Sequence, residues 1–500
     1  MMARSFFTGF FLLCMVHLSI AQSPTGDTKI FSHGRLQVSK TDPHFLAFED
    51  GTPFFWMGDT GWEMLHALKQ EEIAYYFSVR KKQGFNVIQT VAVSEFDGLN
   101  KPNAYGMLPF TDKDPAHLAI TPGNSLNIKG EYDYWDHVDY AINEAEKTGL
   151  FIALLPCWGE YVTPREGHQL FFTQAQAYNY GNFLGARYKS KKNIIWILGG
   201  DRLPDETKDG IALWRAMAKG IADGTNGVND LDAATDYSTT LMTFHCSQSS
   251  SKWFQQDDWL DLDMWGSYHA NYDNTRAFEQ VYADDALPVI KPTINGEPAY
   301  EDHPVNWLPS NGSFTAYDVR QIAYWGVLAG ACGHTYGCNA VWQFYDSTKP
   351  ATYFAKKSWQ SSLHNEGAEQ LHYLENLVES RPMLHRKPAQ YLVADGEGVG
   401  GDHCIGTRGE GYAMFYLPTG RPLTIKLNML AKDVKAYWFD PRNGNSISIG
   451  EFSNEAVHRF EPPGISKELS WLKTGRGCDW ILLLDDAGAN FLPPGKIVSQ

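Results

Sequence analysis

The stretch "NIIWILGGD", residues 193–201, decides the fold class. Ile194 to Leu198 is an unbroken apolar run, followed by two glycines and Asp201. A strand with one wet face would alternate polar and apolar residues. An unbroken run predicts a strand buried on both faces, as in a parallel sheet covered by helices. Its end has two readings. Asp201 either caps a following helix or is a carboxylate delivered to a ligand.

Seven further segments share this texture: "PFFWMGD" (53–59), "FNVIQTVAV" (85–93), "LFIALLPCW" (150–158), "LMTFHCS" (241–247), "DLDMWGSYH" (261–269), "LPVIKPTINGE" (287–297) and "GHTYGCNAVWQ" (333–343). Helical patterns lie between them, at 70–84, 132–149, 174–190, 210–222 and 316–330. The first two end in Gly, a usual residue just past a helix. Eight strands alternating with helices predict an α/β fold, a (β/α)8 TIM barrel, over a doubly wound sheet. Residues 97–130 are polar and rich in Pro and Gly. They read as an insertion over the barrel mouth. After residue 385 helical patterns vanish. Short segments such as "YLVAD" (391–395), "YAMFYLP" (412–418), "LTIKLN" (423–428), "VKAYWFD" (434–440) and "WILLLDD" (480–486) predict a C-terminal antiparallel β-sandwich. The expected domains are therefore a barrel over 22–385 and a sandwich over 386–500. Residues 22–50 are expected as a strand or hairpin that closes the barrel's bottom or docks on the sandwich.

The N-terminus has a signal-peptide pattern. Arg4 precedes an apolar run from Phe6 to Ile20, and Ser19-Ile20-Ala21 offers a cleavage site, so residues 1–21 are expected to be removed. The chain is then exported, periplasmic or extracellular, without membrane insertion. Net charge is −16 and no long basic tract occurs, which argues against a nucleic-acid partner. Aromatics make up 14% of residues, which suits sugar stacking and core filling alike. Cys332 with Cys338 and Cys404 with Cys478 are possible disulfide pairs in an exported chain. Neither CxxC nor HExxH occurs, so no metal site is expected. "GEGVGG" (396–401) fits a dinucleotide-binding pattern, but a strand-like segment follows it where a helix is required, so no cofactor is expected. G-x-S-x-G is missing, which removes the serine-hydrolase elbow.

A barrel's chemistry sits at the C-terminal ends of its strands. Those ends carry Asp59 and Trp62, Glu95, Trp158 and Glu160, Asp201, His245, Tyr268 and His269, Glu297, and then His334, Tyr336, Trp342 and Gln343. Singly, each has a structural reading: Asp59 as a helix cap, Glu95 and Glu160 as solvated loop acids, His245 and His269 as hydrogen-bonded core residues. Together they form a ring of acids, imidazoles and aromatics. Asp201 and Glu297, after strands four and seven, face one mouth. Two carboxylates flanking one bond is the requirement of glycoside hydrolysis. Gly199 and Gly200 are expected to let the backbone approach a ligand.

The ordered set "WMGDTGW", "GFNVIQ", "GGD", "TFH", "NGEPAYE" and "GHTYG…VWQ" resembles the apiosidase-like glycoside hydrolases of family 140. "YWFDPRNG" and "CDWILLLD" resemble the β-sandwich that often follows that barrel, a domain type carrying a collagen-binding label. The resemblance spans nearly all of the mature chain. It implies removal of apiose-containing side chains from the pectic polysaccharide rhamnogalacturonan II, with Asp201 and Glu297 as the catalytic pair. By analogy with related barrels, it implies a retaining mechanism with Asp201 as acid/base and Glu297 as nucleophile. That assignment predicts a raised pKa for Asp201, an ionised Glu297 and carboxyl groups about 5–5.5 Å apart. Asp59, His245, His334 and Tyr336 would hold sugar hydroxyls, and Trp62, Trp158 or Trp342 would supply a stacking wall. The competing class is a noncatalytic glycan-binding surface protein.

Overall fold

A computed structural model describes residues 28–164, 170–464 and 477–497. The expected signal peptide lies outside these residues. Eight parallel strands form the barrel: β1 (Trp56–Thr60), β2 (Val87–Val91), β3 (Phe151–Leu155), β4 (Ile194–Gly199), β5 (Met242–His245), β6 (Asp263–Gly266), β7 (Thr293–Glu297) and β8 (Gly333–Tyr336). β8 pairs with β1, and the ladder runs on without a break to β5. β6 and β7 form a separate parallel pair. Single backbone–backbone bonds span the two seams: Asp261 N–H to Met242 O at 2.9 Å, and Cys332 N–H to Thr293 O at 3.0 Å. Apart from Ile194 at the start of β4, every residue of the eight strands is buried, as the unbroken apolar runs require.

Helices α1 (Gln70–Lys82), α2 (Tyr134–Thr148), α3 (Gln174–Tyr188), α4 (Gly210–Thr225), α5 (Ser251–Phe254), α6 (Arg276–Asp285) and α7 (Ala316–Ala329) cover the barrel. Their ends are written in the sequence. Asp133 accepts from the N–H groups of Trp135 and Asp136 at 2.7 and 3.0 Å, and Gly149 ends α2 with φ of 71°. α5 and α6 are additions to the five helices read from sequence. The eighth strand is shorter than expected: it stops at Tyr336, and Asn339–Trp342 is a helical turn.

A three-stranded antiparallel sheet (Leu36–Val38, Leu46–Phe48, Pro53–Phe54) lies under the barrel. Phe31 and Phe54 pack edge-on against Phe151, the first residue of β3, with ring centroids 5.3 Å apart in each case. Of the two expected positions for this leader, it takes the barrel's bottom. Residues 97–130 flank the mouth, anchored by Phe110 against Trp135 and Tyr180.

The C-terminal part is antiparallel. β9 (Lys387–Pro388), β10 (Ile405–Gly409), β11 (Tyr412–Leu417), β12 (Leu423–Lys426), β13 (Val434–Phe439), β14 (Ser446–Phe452), β15 (Val457–Phe460) and β16 (Trp480–Asp486) form two sheets. The larger runs β9-β10-β11-β16-β13-β14, and β12 pairs with β15. "YLVAD" is a correction: Gln390–Leu392 forms a 3-10 turn, pinned where the Gln390 side chain donates to Cys404 O at 2.8 Å. All 14 residues of α7 are buried, because the barrel covers one side and the sandwich the other. Tyr324 stacks on Tyr416 at 5.1 Å, and Arg320 bonds Asp479 at 2.8 and 3.1 Å.

The cysteines also correct an expectation. Cys157, Cys246, Cys332, Cys338, Cys404 and Cys478 are all free. Cys332 and Cys338 sit at opposite ends of β8, and each strand residue adds about 3.3 Å, so their sulfurs cannot meet. Cys404 and Cys478 precede β10 and β16, which β11 separates.

Candidate active site

Asp201 follows β4, and Glu297 is the last residue of β7. They share a cleft of about 600 Å³ at the C-terminal ends of the strands. A carboxylate oxygen of Asp201, one of Glu297 and a ring nitrogen of His245 all lie within 4.8 Å of one another. Their surroundings differ. Glu297 is 6% exposed, whereas Asp201 is open to solvent.

Two imidazoles face Glu297. His245 Nε2 is 3.1 Å from Oε2, and His269 Nε2 is 3.5 Å from Oε1. The backbone fixes how each ring is protonated. Asp201 N–H donates to His245 Nδ1 at 3.4 Å, and Tyr300 N–H donates to His269 Nδ1 at 3.2 Å. A neutral ring that accepts at Nδ1 carries its proton on Nε2. Each histidine thus turns an N–H toward one oxygen of the carboxylate. Burial by itself would raise the Glu297 pKa. The hydrogen bonds from His245 and His269 outweigh it and hold the carboxyl below its ordinary value. The Asp201–His245–Glu297 spacing would also admit a cation; Nδ1 of His245 is taken by the Asp201 N–H, which leaves Nε2 as the ring atom that could face one.

Asp201 is oriented from the other side. Tyr268 donates its phenol to Oδ1 at 2.8 Å, and burial lifts that phenol's pKa well above its usual value, so it remains a donor. Asp201 and Tyr268 both have left-handed backbones, with φ of 54° and 52°. So do Trp307 and Tyr353 on the cleft rim, at 57° and 46°. Bulky residues rarely adopt this region, and such strain gathers at functional sites.

The two glycines before Asp201 serve a different purpose from the one expected. A Cβ on Gly199 would lie 2.3 Å from the His245 carbonyl oxygen. One on Gly200 would lie 2.8 Å from the Gly159 nitrogen and 2.9 Å from the Trp158 indole. Their φ values are 92° and 122°. They let the chain pack against its own protein while turning toward Asp201, and clearance for a ligand is not what requires them.

Among the residues expected from sequence, Trp62, Glu95, Trp158, Tyr268, His269 and Trp342 line the cleft, and His245 lies beneath it against Trp62 at 5.3 Å. Trp62 meets Trp158 at 5.4 Å and donates its indole N–H to Tyr300 at 3.1 Å. Glu160 lines a neighbouring cavity, which shares Glu95 with the cleft and borders the 97–130 insertion.

Four expected residues are elsewhere. Asp59 is fully buried, 2.6 Å from Arg80 Nε and bonded by the Tyr76 hydroxyl. Tyr336 donates to the buried Glu301 at 2.6 Å. His334 is buried off the cleft, and burial pushes its pKa down to about 3. Gln343 ties the loop at Thr352, donating to its carbonyl at 2.9 Å and accepting from its N–H at 2.8 Å. All four are framework. Tyr300, His303, Trp307 and Tyr353 complete the wall and were not picked out from sequence. The run "PAYEDHPVNW" (298–307) right after Glu297 carried a signal for the first three. Tyr353 stands in an irregular loop and carried none.

The family model described as "Apiosidase-like, catalytic domain" matches residues 40–385. The chain belongs to the apiosidase-like glycoside hydrolases. A second family model, "Putative collagen-binding domain of a collagenase", matches residues 387–485. A solved structure described as a glycoside hydrolase is 34% identical, with 92% of this chain and 99% of that chain covered and a TM-score of 0.80. Another, described as a family 5 glycoside hydrolase from Bacteroides vulgatus, is 32% identical, with 94% and 97% covered and a TM-score of 0.80. No curated protein matches. This apiosidase-like chain is therefore a glycosidase, and its substrate is a carbohydrate.

Proposed function

We propose that this enzyme removes apiose-containing side chains from rhamnogalacturonan II with net retention, outside the cytoplasm. The observation that carries the mechanism is the pairing of a buried, ionised Glu297 with an Asp201 oxygen less than 4.8 Å away. Retaining enzymes keep their carboxyl groups about 5–5.5 Å apart and inverting ones about 6.5 Å or more, and an oxygen of each acid within 4.8 Å of the other is compatible with the closer spacing. Glu297 attacks the anomeric carbon. The bond from that carbon to the leaving oxygen breaks, and Asp201 gives that oxygen its proton. A water then attacks the glycosyl ester and passes its proton to Asp201. The sugar leaves as a hemiacetal, and Glu297 is again a carboxylate. The aromatic walls at Trp62, Trp158 and Trp342 suit the apolar faces of sugar rings. The signal-peptide pattern supports export, and among the described residues no helix is long and apolar enough to cross a membrane.

The test treats rhamnogalacturonan II oligosaccharides with wild type and Asp201→Asn and weighs the released products by mass spectrometry. Loss of the general acid should lower the rate by about 10²–10⁴-fold. The loss should be smaller on an aryl glycoside whose leaving group needs no proton. Release of no sugar by wild type from any pectic glycan would reject the substrate. Full activity of Asp201→Asn would reject its role.

A further inference from the structure

We propose that His303 reads the sugar bonded at Glu297 by accepting a hydrogen bond from one of its hydroxyls at Nε2, which makes His303 a specificity-determining residue. This rests on the proposed reading of the cleft as the sugar-binding site.

His303 follows Glu297 on the loop from β7 to α7 and is 1% exposed. Its Nδ1 lies 2.8 Å from the carbonyl oxygen of Pro304. A carbonyl only accepts, so Nδ1 carries the proton and Nε2 is left as a bare acceptor. Among the described residues nothing donates to Nε2. A buried polar atom without a partner costs about 1–3 kcal/mol. Such an atom in a ligand cleft marks a place where the ligand supplies the missing bond. The acceptor also stays an acceptor: burial pushes the His303 pKa down to about 3.

The position selects which sugar unit is read. His303 stacks on His269 at 3.9 Å with planes 22° apart, and His269 faces Glu297. The hydroxyl therefore belongs to the unit whose anomeric carbon meets Glu297, not to the leaving group. The ring is held from the rim by Tyr353 at 5.4 Å and Trp307 at 6.0 Å, both with left-handed backbones. A carbohydrate hydroxyl is the donor that fits: neutral and small. A site built to bond a hydroxyl discriminates against an analogue lacking it, because its own acceptor is then left unpaired.

The experiment has two arms. In the first, 4-nitrophenyl apioside and its monodeoxy analogues are hydrolysed by wild type and His303→Phe, which keeps a flat ring on His269 and removes the acceptor. Wild type should lose about tenfold in kcat/KM on one particular deoxy analogue. His303→Phe should lose a similar factor on the parent sugar and nothing further on that analogue. An equal loss by the variant on every analogue would mean a merely structural residue and would overturn the proposal. The second arm needs no variant. In ¹⁵N-histidine-labelled wild type, the unprotonated Nε2 resonance of His303 is followed while free D-apiose, L-arabinose, L-rhamnose or D-galactose is added. The sugar that perturbs His269 should also shift Nε2 in the direction of an accepted hydrogen bond. A sugar that moves His269 and leaves His303 Nε2 unchanged overturns the proposal. A shift with another sugar and none with apiose would reject the apiose reading while upholding this one.

Discussion

Glu297 shows how one residue's chemistry is set by what surrounds it. Burial alone would favour its neutral acid, and the two imidazole N–H groups reverse that outcome. A carboxyl held below its ordinary 4.5 is still ionised at that pH, so it does not set the acid limb of activity near pH 4.5. The same shift contributes stability above pH 4.5 that is lost as pH falls through the lowered folded-state value. In His269→Phe one donor is gone and burial is left less opposed. The acid limb of kcat/KM against pH should move upward; an unmoved limb would mean that His269 does not hold the charge. At this scale the sequence was partly legible. Asp201 and Glu297 were found because a barrel gathers strand ends. Asp59 and Tyr336 occupy strand ends too, but their partners, Arg80 and Glu301, are invisible until the chain folds. Strand position says where a side chain starts and leaves open what satisfies it.

At the scale of elements, the eight strands were readable because burial on both faces demands unbroken apolar runs. The short helix α5 was not, since four residues carry no period. The pairing of α3 with α4 was hidden in glycines. Gly181 and Gly185 face Gly220 and Gly224. A Cβ on Gly185 would sit 2.0 Å from the Ile221 carbonyl oxygen, and one on Gly220 would sit 2.1 Å from that of Tyr178. Gly to Ala within a helix normally stabilises by about 0.5–1 kcal/mol. Here the backbones touch, so Gly185→Ala should lower the melting temperature, and a rise would show that the two helices separate easily.

For the whole molecule, α7 links the two parts. It carries Arg320 into the sandwich, where Asp479 is fully buried. Removing one partner of a buried pair costs about 3–5 kcal/mol, because the other charge is left unpaired. Asp479→Ala should therefore destabilise by about that amount in denaturant unfolding, and wild type should unfold in one calorimetric transition. Two separated transitions would mean that the sandwich folds apart from the barrel. The sandwich was legible as a change of texture near residue 385, while its contact with α7 was not. α7 carries Asp318, Arg320 and Gln321 among its apolar residues, so its sequence does not announce burial on every side or name the second partner. The molecule's chemistry converges on one carboxylate, and the decisive comparison is wild type against Glu297→Gln on rhamnogalacturonan II, with released products weighed by mass spectrometry and glycan binding measured alongside. The account predicts that Glu297→Gln still binds the glycan and releases no sugar. Release at the wild-type rate would contradict it.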